Sequence, residues 1–139
     1  MNARKHIHAG EDSLILTLRT RGYRMTAPRR AIIEALTTAV SPKTAKEIAK
    51  YAKIKEPSTV YRTLAELVKE KLASEFSDAG VAYYEIKEHH HDHAVCDKCG
   101  KIEHIPCAVP EKPRALTRAG WSILSYEALY RCFCGMCKK

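Results

Sequence analysis

PSTVYRTLAELVKEK, residues 57–71, has a strong helical pattern, and a strand pattern follows it directly. Its apolar residues recur at i, i+4, i+7 and i+8, the spacing of one buried helix face. The next residues, LASEFSDAGVAYYEI (72–86), alternate between apolar and polar on both sides of the turn sequence DAG. The stretch therefore predicts a helix followed directly by a β-hairpin.

The side of this helix opposite its apolar stripe is polar. It carries Ser58, Arg62 and Lys69, with Thr59 and Tyr61 at its flanks. Ser58 is also a plausible N-cap for the helix. A face of polar donors and one aromatic ring that points outward is able to read DNA.

Three helices are predicted ahead of this stretch. The first covers residues 13–21 and ends at Gly22 in a left-handed conformation. The second is capped at Thr26 or at the residue after it, with proline in its first turn. The third starts within residues 41–52, either at their first residue or at Thr44 through a capping box. Helices followed by a hairpin are the order of a winged-helix domain.

The composition indicates a polyanionic partner. The chain has 24 Lys+Arg against 16 Asp+Glu, a formal net charge of +8. Five arginines fall within residues 19–30, which contain no acidic residue: Arg19, Arg21, Arg24, Arg29 and Arg30. This run predicts a phosphate-facing surface, although a solvated helix face would have the same pattern.

No apolar run approaches the roughly 18 to 20 residues of a membrane span, and the first residues contain no signal-like apolar stretch. We therefore expect a cytoplasmic protein with no membrane partner. In that compartment thiols stay reduced, so six cysteines indicate metal binding or redox chemistry rather than disulfides.

A second unit is predicted after the hairpin, because the composition changes abruptly at KEHHHDHAV (87–95). We expect a first domain of residues 1–86 and a second of residues 87–139. The second would contain two strands and a short helix: KIEHI (101–105), a helix near 115–119, and WSILSYEALYR (121–131) as a long strand.

Two C-x-x-C pairs bracket this second unit: Cys96 with Cys99, and Cys134 with Cys137. Four thiolates suit tetrahedral Zn²⁺ at about 2.3 Å, and a glycine in or beside each pair eases the tight turn. Structural zinc is the favoured interpretation, with reactive dithiol pairs and ordinary buried cysteines as alternatives. Cys107 and Cys132 are left over as small packed side chains, although Cys132 is close enough to Cys134 to exchange roles with it.

The histidine cluster of residues 89–93 is a second candidate for metal binding. A strand would place His91 and His93 on one side and His90 and Asp92 on the other. One extended segment would then serve two mixed nitrogen and oxygen sites. A solvated loop or a nonspecific metal binder would have the same sequence.

Catalytic motifs are missing from the sequence. It has no P-loop, no H-E-x-x-H and no G-x-S-x-G. A zinc deaminase would need H-x-E, which does not occur. We therefore expect that the protein is not an enzyme.

Four segments together resemble the ferric uptake regulator (Fur) family: GYRMTAPRRAI, PSTVYRTLAEL, YYEIKEHHHDHAVCDKCGKIEHI and the terminal C-x-x-C pair. The likeness covers about residues 12–137. It implies an α+β fold, with an N-terminal winged-helix domain and a small α/β dimerisation domain that holds a four-cysteine zinc site. It also implies a homodimeric, metal-responsive repressor that binds double-stranded operator DNA, usually an AT-rich inverted repeat.

The resemblance assigns roles to the outward face of the fourth helix. Tyr61 and Arg62 would meet bases in the major groove, and Ser58 and Thr59 would meet phosphates. Arg24 would reach toward the minor groove. The four residues of the helix are also those that its periodicity places on or beside the polar face.

The resemblance also implies two further metal sites. The sensing site would draw on Glu85, His91, His93 and His104. An additional site would draw on His90, Asp92 and Glu111. The sensed metal stays open between Fe²⁺, Zn²⁺, Mn²⁺ and Ni²⁺.

Two departures from the family pattern affect these sites. Ala39 replaces a histidine that many members supply just before the third helix, and the last-strand histidine is missing near Tyr126 and Glu127. The second site would then be incomplete, recruit Glu127, or bind no metal. Two other functions stay open: a zinc-binding interaction module without sequence-specific DNA binding, and a thiol redox module.

Overall fold

The computed structural model describes residues 10–87, 91–106, 114–123 and 128–138. The chain divides between residues 88 and 89 into two compact units. In the described ranges, no helix is long and apolar enough to cross a membrane.

The first unit contains four α-helices and a three-stranded antiparallel sheet of order β1-β3-β2. Its elements are α1 Glu11–Thr20, α2 Ala27–Thr38, β1 Lys43–Thr44, α3 Ala45–Ala52, α4 Pro57–Lys69, β2 Ala73–Asp78 and β3 Val81–Ile86. This is the predicted winged-helix fold, with the β2–β3 hairpin as the wing.

Local sequence explains where the first helices begin and end. After α1, Gly22 adopts the left-handed conformation with φ +88°. Thr26 caps α2, because its side chain accepts a hydrogen bond from the backbone N–H of Arg29. Both predictions are confirmed.

The start of α3 is fixed by a capping box. The Thr44 side chain accepts from the Glu47 backbone N–H at 3.2 Å, and the Glu47 carboxylate accepts from the Thr44 N–H at 2.8 Å. The predicted cap at Ser58 is wrong. Helix α4 begins two residues earlier than that cap implies, with Glu56 at the N-cap and Pro57 as the first helical residue, because proline has no N–H to satisfy and its fixed φ suits that position.

The wing turns through two residues. Ala79 and Gly80 both have positive φ, 49° and 80°, which matches the twist of a tight hairpin. Asp78 pairs with Val81, and the register continues to Ala73 and Ile86. The predicted hairpin is confirmed.

The core of the first unit lies between α2, α3, α4 and the sheet. On α4, Val60, Leu64 and Leu67 are at most 1% exposed, as the apolar spacing predicts. Other fully buried side chains come from the remaining helices: Leu18, Ile32, Ile33, Leu36 and Ile48. Burial of the α4 stripe turns the opposite side of that helix to solvent.

The second unit has a mixed sheet of order β5-β4-β6, in which β5 is antiparallel and β6 parallel to the central strand. Its elements are β4 His91–Cys96, β5 Ile102–Pro106, α5 Arg114–Arg118 and β6 Leu129–Cys132. The short helix and the KIEHI strand appear about where the sequence predicts them.

The long strand predicted over residues 121–131 is wrong at its beginning. Residues 121–123 form no strand, and residues 124–127 lie outside the described part. Gly120 ends α5 with φ +81°, and the Trp121 N–H bonds back to the Leu116 carbonyl. Among the described residues of this segment, the register with β4 runs from Leu129 to Cys132.

The second unit buries few side chains. In its described ranges, only Asp92, Val95 and Cys96 are buried. Trp121 is 68% exposed and Phe133 61% exposed. A unit with so small a core needs another source of stability, such as a metal or a partner.

We predict that Thr44→Ala lowers the free energy of unfolding by about 1 kcal/mol, because it removes the side chain that caps α3. Urea unfolding followed by circular dichroism measures the change. Ser58→Ala is the matched control, since Ser58 lies inside α4 and caps nothing; it should change stability by less than about 0.5 kcal/mol. Equal losses in the two variants would contradict this assignment of the caps.

Candidate nucleic-acid interface and metal centre

The outer face of α4 presents the predicted side chains to solvent. Ser58, Tyr61 and Arg62 are exposed, and Thr59 is half-buried at the edge of the face. The Tyr61 ring is 56% exposed although it is large and apolar. An exposed aromatic ring beside a guanidinium suits contacts with a base edge.

The arginine run contributes less free charge than its sequence indicates. Arg21 donates to the Glu70 carboxylate at 2.8 Å, Arg29 pairs with Glu66, and Arg30 lies 3.9 Å from Glu11. The remaining two, Arg19 and Arg24, are exposed and form no salt bridge with another residue in the described ranges. Of the five arginines expected to face phosphates, two therefore have no competing salt bridge among the described residues.

Glu70 joins the end of α1 to the end of α4. It accepts hydrogen bonds from the Tyr23 hydroxyl at 2.7 Å and from Arg21. These two bonds hold the pKa of Glu70 below its usual value, and the Tyr23 bond raises the pKa of the Tyr23 hydroxyl. Arg29 also stacks over the Tyr23 ring at 5.5 Å and donates to the carbonyl of Arg24. The backbone beneath Arg24 is thereby fixed while its side chain stays exposed.

The four cysteines of the two C-x-x-C pairs come together. Their sulfur atoms all lie within 4.8 Å of one another, and the Cys99 and Cys134 sulfurs are 3.8 Å apart. Each pair turns tightly: the Gly100 N–H bonds to the Cys96 carbonyl, and the Cys137 N–H bonds to the Cys134 carbonyl, both at 2.9 Å. This donor set and spacing fit tetrahedral structural zinc.

The polar surroundings favour a thiolate at Cys96. Its sulfur accepts the Cys134 backbone N–H at 3.3 Å, and this bond and one from the Cys99 N–H lower the pKa of Cys96 to about 6. The hydrogen bond with the Cys134 side chain, followed by burial, raises the pKa of Cys137 to about 12. Crowded thiols cannot all ionise without a nearby cation, and Zn²⁺ supplies that charge.

Cys132 stays outside the four-cysteine group. It is the register partner of Cys96 in the parallel β4–β6 pair, and its sulfur lies 3.7 Å from the Val95 carbonyl oxygen. It is exposed, not packed as predicted. The other leftover, Cys107, lies outside the described residues.

Two histidines of the predicted sensing site are neighbours in the second unit. His93 on β4 pairs with His104 on β5, and their rings meet edge to face with centroids 5.2 Å apart. Two imidazoles at this spacing are able to supply two nitrogen ligands to one divalent ion. Glu85 is buried on β3 of the first unit, 8% exposed. The side chain of His91 lies outside the described part.

Of the predicted additional site, Asp92 is the member that the structure describes. It is fully buried, and it sits on β4 between the two positions of that strand assigned to the sensing site. His90, Glu111, Tyr126 and Glu127 lie outside the described residues. The three-residue site therefore stays a prediction.

Comparison with known proteins agrees with this geometry. The model of the ferric uptake regulator family matches residues 20–128. Ferric uptake regulation protein 1 of Mycolicibacterium fortuitum is 33% identical in an alignment of 123 positions that covers 81% of this chain and 74% of that protein. The peroxide-responsive repressor PerR of Staphylococcus epidermidis is 35% identical in an alignment of 104 positions that covers 68% of this chain and 66% of that protein.

Solved structures show the same fold. The ferric uptake regulator of Vibrio cholerae superposes with a TM-score of 0.72 at 23% identity, covering 86% of this chain and 98% of that one. The Helicobacter pylori regulator gives 0.68 at 23% identity, covering 92% and 91%.

A winged helix followed by a small sheet with a four-cysteine zinc site defines a class of metal-responsive transcriptional regulators. The family match covers most of the chain, and the Mycolicibacterium protein is similar over most of its length. The chain belongs to the ferric uptake regulator family, whose members are regulators rather than enzymes.

We predict that Cys96→Ser abolishes tight zinc binding and unfolds the second unit. Structural zinc contributes on the order of 10 kcal/mol of apparent folding free energy, which this small core cannot replace. Elemental analysis after dialysis against a mild chelator measures zinc per chain. Cys132→Ser is the matched control and should keep its zinc. Retention of zinc by Cys96→Ser, or loss of zinc by Cys132→Ser, would show that the ligand set is different.

Proposed function

We propose that this protein is a metal-dependent repressor that binds double-stranded operator DNA as a homodimer in the cytoplasm. Residues 1–86 would bind the DNA, and residues 87–139 would form the dimer and hold metal. The observation that carries the proposal is the outer face of α4, where Tyr61 and Arg62 project from a helix whose other side is locked into the core. The expected operator is an AT-rich inverted repeat.

The DNA contacts follow from the positions of these side chains. Arg62 offers a planar pair of donors for guanine in the major groove, and the Tyr61 ring offers apolar contact beside it. Ser58 and Thr59, in the first turn of α4, would donate to phosphates, where the positive end of the helix dipole also favours anions. Arg24 would enter the minor groove from its fixed loop.

The printed names of related proteins support a metal-controlled repressor. One relative is a peroxide-responsive repressor, and similar solved structures include a zinc-bound manganese uptake regulator. The Helicobacter pylori regulator is described as having three functional metal binding sites. The same arrangement is proposed for this chain.

We assign the metals to three groups of residues. Cys96, Cys99, Cys134 and Cys137 would hold structural Zn²⁺. Glu85, His91, His93 and His104 would hold a regulatory ion, which is Fe²⁺, Zn²⁺, Mn²⁺ or Ni²⁺. His90, Asp92 and Glu111 would form an additional site. The facing imidazoles of His93 and His104 support the second assignment.

The regulatory site would work by tying the two units together. Glu85 is the second-last residue of the wing strand β3, and His91 is the first residue of β4 in the second unit, six residues later. An ion held by ligands on both sides of this junction restricts the motion of one unit against the other. A dimer must present its two reading helices one helical turn or a multiple apart, so this restriction favours DNA binding.

We predict that Arg62→Ala lowers affinity for the operator by about 1 to 3 kcal/mol and relaxes sequence preference, because it removes a base-reading donor pair. The operator is first selected from a random duplex pool with the wild-type protein. Arg118→Ala, which removes an exposed arginine from α5, is the matched control and should bind normally.

Two results would contradict this assignment. Tight, selective binding by Arg62→Ala would move base reading to another residue. A wild-type protein that selects no sequence from the pool would favour the zinc-binding interaction module instead.

We predict that His93→Ala/His104→Ala loses the metal dependence of operator binding while the cysteine zinc stays bound. Coupling between metal and DNA is typically about 1 to 3 kcal/mol, or about 5- to 150-fold in affinity. Fluorescence anisotropy with and without added metal measures it, and zinc content is checked in parallel. His90→Ala/Glu111→Ala tests the other site. If His93→Ala/His104→Ala keeps its full metal dependence and His90→Ala/Glu111→Ala loses it, the additional site is the one that senses metal.

A further inference from the structure

Unpaired positive charge extends beyond the arginine run to α3 and the residue that follows it. Lys46 and Lys50 are exposed one helical turn apart, and Lys53 follows at the C-cap. None of the three forms a salt bridge with another residue in the described ranges, whereas Arg21, Arg29 and Arg30 all do. These three lysines are called the α3 lysine stripe below.

The packing of α3 explains why the stripe faces solvent. Ile48 is buried to 1% exposure, and at about 100° per residue Lys46 and Lys50 both lie about 160° from it around the helix axis. Hydrophobic burial of Ile48 therefore fixes the direction of the two lysines. Two of the three lysines of the stripe are therefore positioned by the core.

Inside α3 the acidic side chain forms no salt bridge with the stripe, although its charge partly offsets that of the lysines. Glu47 is the one acidic residue of α3, and its carboxylate is committed to the Thr44 N–H at 2.8 Å and the Thr44 hydroxyl at 3.1 Å. Like charges at i and i+4 destabilise a helix by about 0.2 to 0.5 kcal/mol. An anion from outside the unit would remove this repulsion.

The stripe continues toward the reading helix. Lys53 adopts a left-handed conformation with φ 55° and opens the four-residue connection to Pro57, where α4 begins. Lys55 lies in the same connection and is also exposed. Positive charge thus leads from α3 to the first turn of α4, where Ser58 is exposed.

We propose that Lys46, Lys50 and Lys53 bind consecutive phosphates of the duplex backbone beside the bases met by α4. The proposal rests on the proposed function. Lys46 and Lys50 are separated by about 6 Å of helix rise, and Lys53 follows directly after α3 ends, so the three ammonium groups are close enough to meet neighbouring phosphates of one strand. In a helix-turn-helix the helix before the reading helix crosses the backbone, which is the position of α3.

Phosphate contacts supply affinity without sequence information, so substitutions in the stripe and in α4 should change DNA binding in different ways. The stripe should set the salt dependence of binding to any duplex. Arg62 should set the preference between duplexes. This difference separates the stripe from the base-reading face experimentally.

The test measures dissociation constants against salt for the selected operator and for an unrelated duplex. The variant is Lys46→Gln/Lys50→Gln/Lys53→Gln, and the control is Lys71→Gln/Lys87→Gln/Lys101→Gln. The control removes the same charge from exposed positions and includes a left-handed lysine that matches Lys53. Circular dichroism verifies that both variants keep their helices.

The logarithm of the binding constant falls with the logarithm of the salt concentration, by about 0.9 per phosphate contact. We expect this slope to become less steep by about 2 to 3 in the stripe variant. Both duplexes should lose affinity by the same factor, so preference for the operator is kept. If the slope is unchanged in the stripe variant, or changes equally in the control, the proposal for the lysines is overturned. The proposed function still stands in that case, provided that the wild-type protein binds the operator more tightly than the unrelated duplex. A wild-type protein that binds neither duplex overturns both.

Discussion

Burial of the apolar side of α4 is the constraint on which the first unit depends. Val60, Leu64 and Leu67 are almost fully removed from water, and full burial of such side chains is worth about 1.5 to 3 kcal/mol each. No rotation of α4 keeps these three residues inside and also buries Arg62. The core therefore determines which side chains face outward, and the candidate interface is a by-product of hydrophobic packing.

The second unit uses a different source of stability. Its described residues bury one aliphatic side chain, Val95, together with Cys96 and Asp92. The four-cysteine group joins the turn after β4 to the turn after β6, which are far apart in sequence. A metal bond set of this kind replaces the packing that a small sheet cannot provide. We therefore expect the two units to respond to different losses: the first to cavities in its core, and the second to loss of zinc.

Most of the fold could be predicted from local patterns, and the errors have physical causes. The caps at Thr26 and Thr44 depend on neighbouring residues, so they were visible in the sequence. Ser58 was misplaced because the proline before it starts the helix just as well. The strand over residues 121–131 was predicted too long, since alternation cannot show where a partner strand ends.

Pairing of charges was the least predictable feature. The arginine run looked free because its partners, Glu66 and Glu70, lie 37 and 49 residues away in sequence from Arg29 and Arg21. The α3 lysine stripe was overlooked although its spacing of four and three residues was present in the sequence. The apolar spacing of α3 identifies its buried side but does not show that the opposite side carries unpaired lysines. The same periodicity applied to charged residues would have found it.

The positions of the metal ligands along the chain separate their roles. Every cysteine of the zinc group belongs to the second unit, so the zinc ion proposed there would stabilise that unit. Glu85 belongs to the first unit, whereas His93 and His104 belong to the second. The regulatory ion proposed above would draw on ligands from both units, so its binding would be linked to their relative motion. An allosteric effect requires two states that the ligand binds with different affinity, and the proposed ion would meet this requirement if its full ligand set formed in one of the two states.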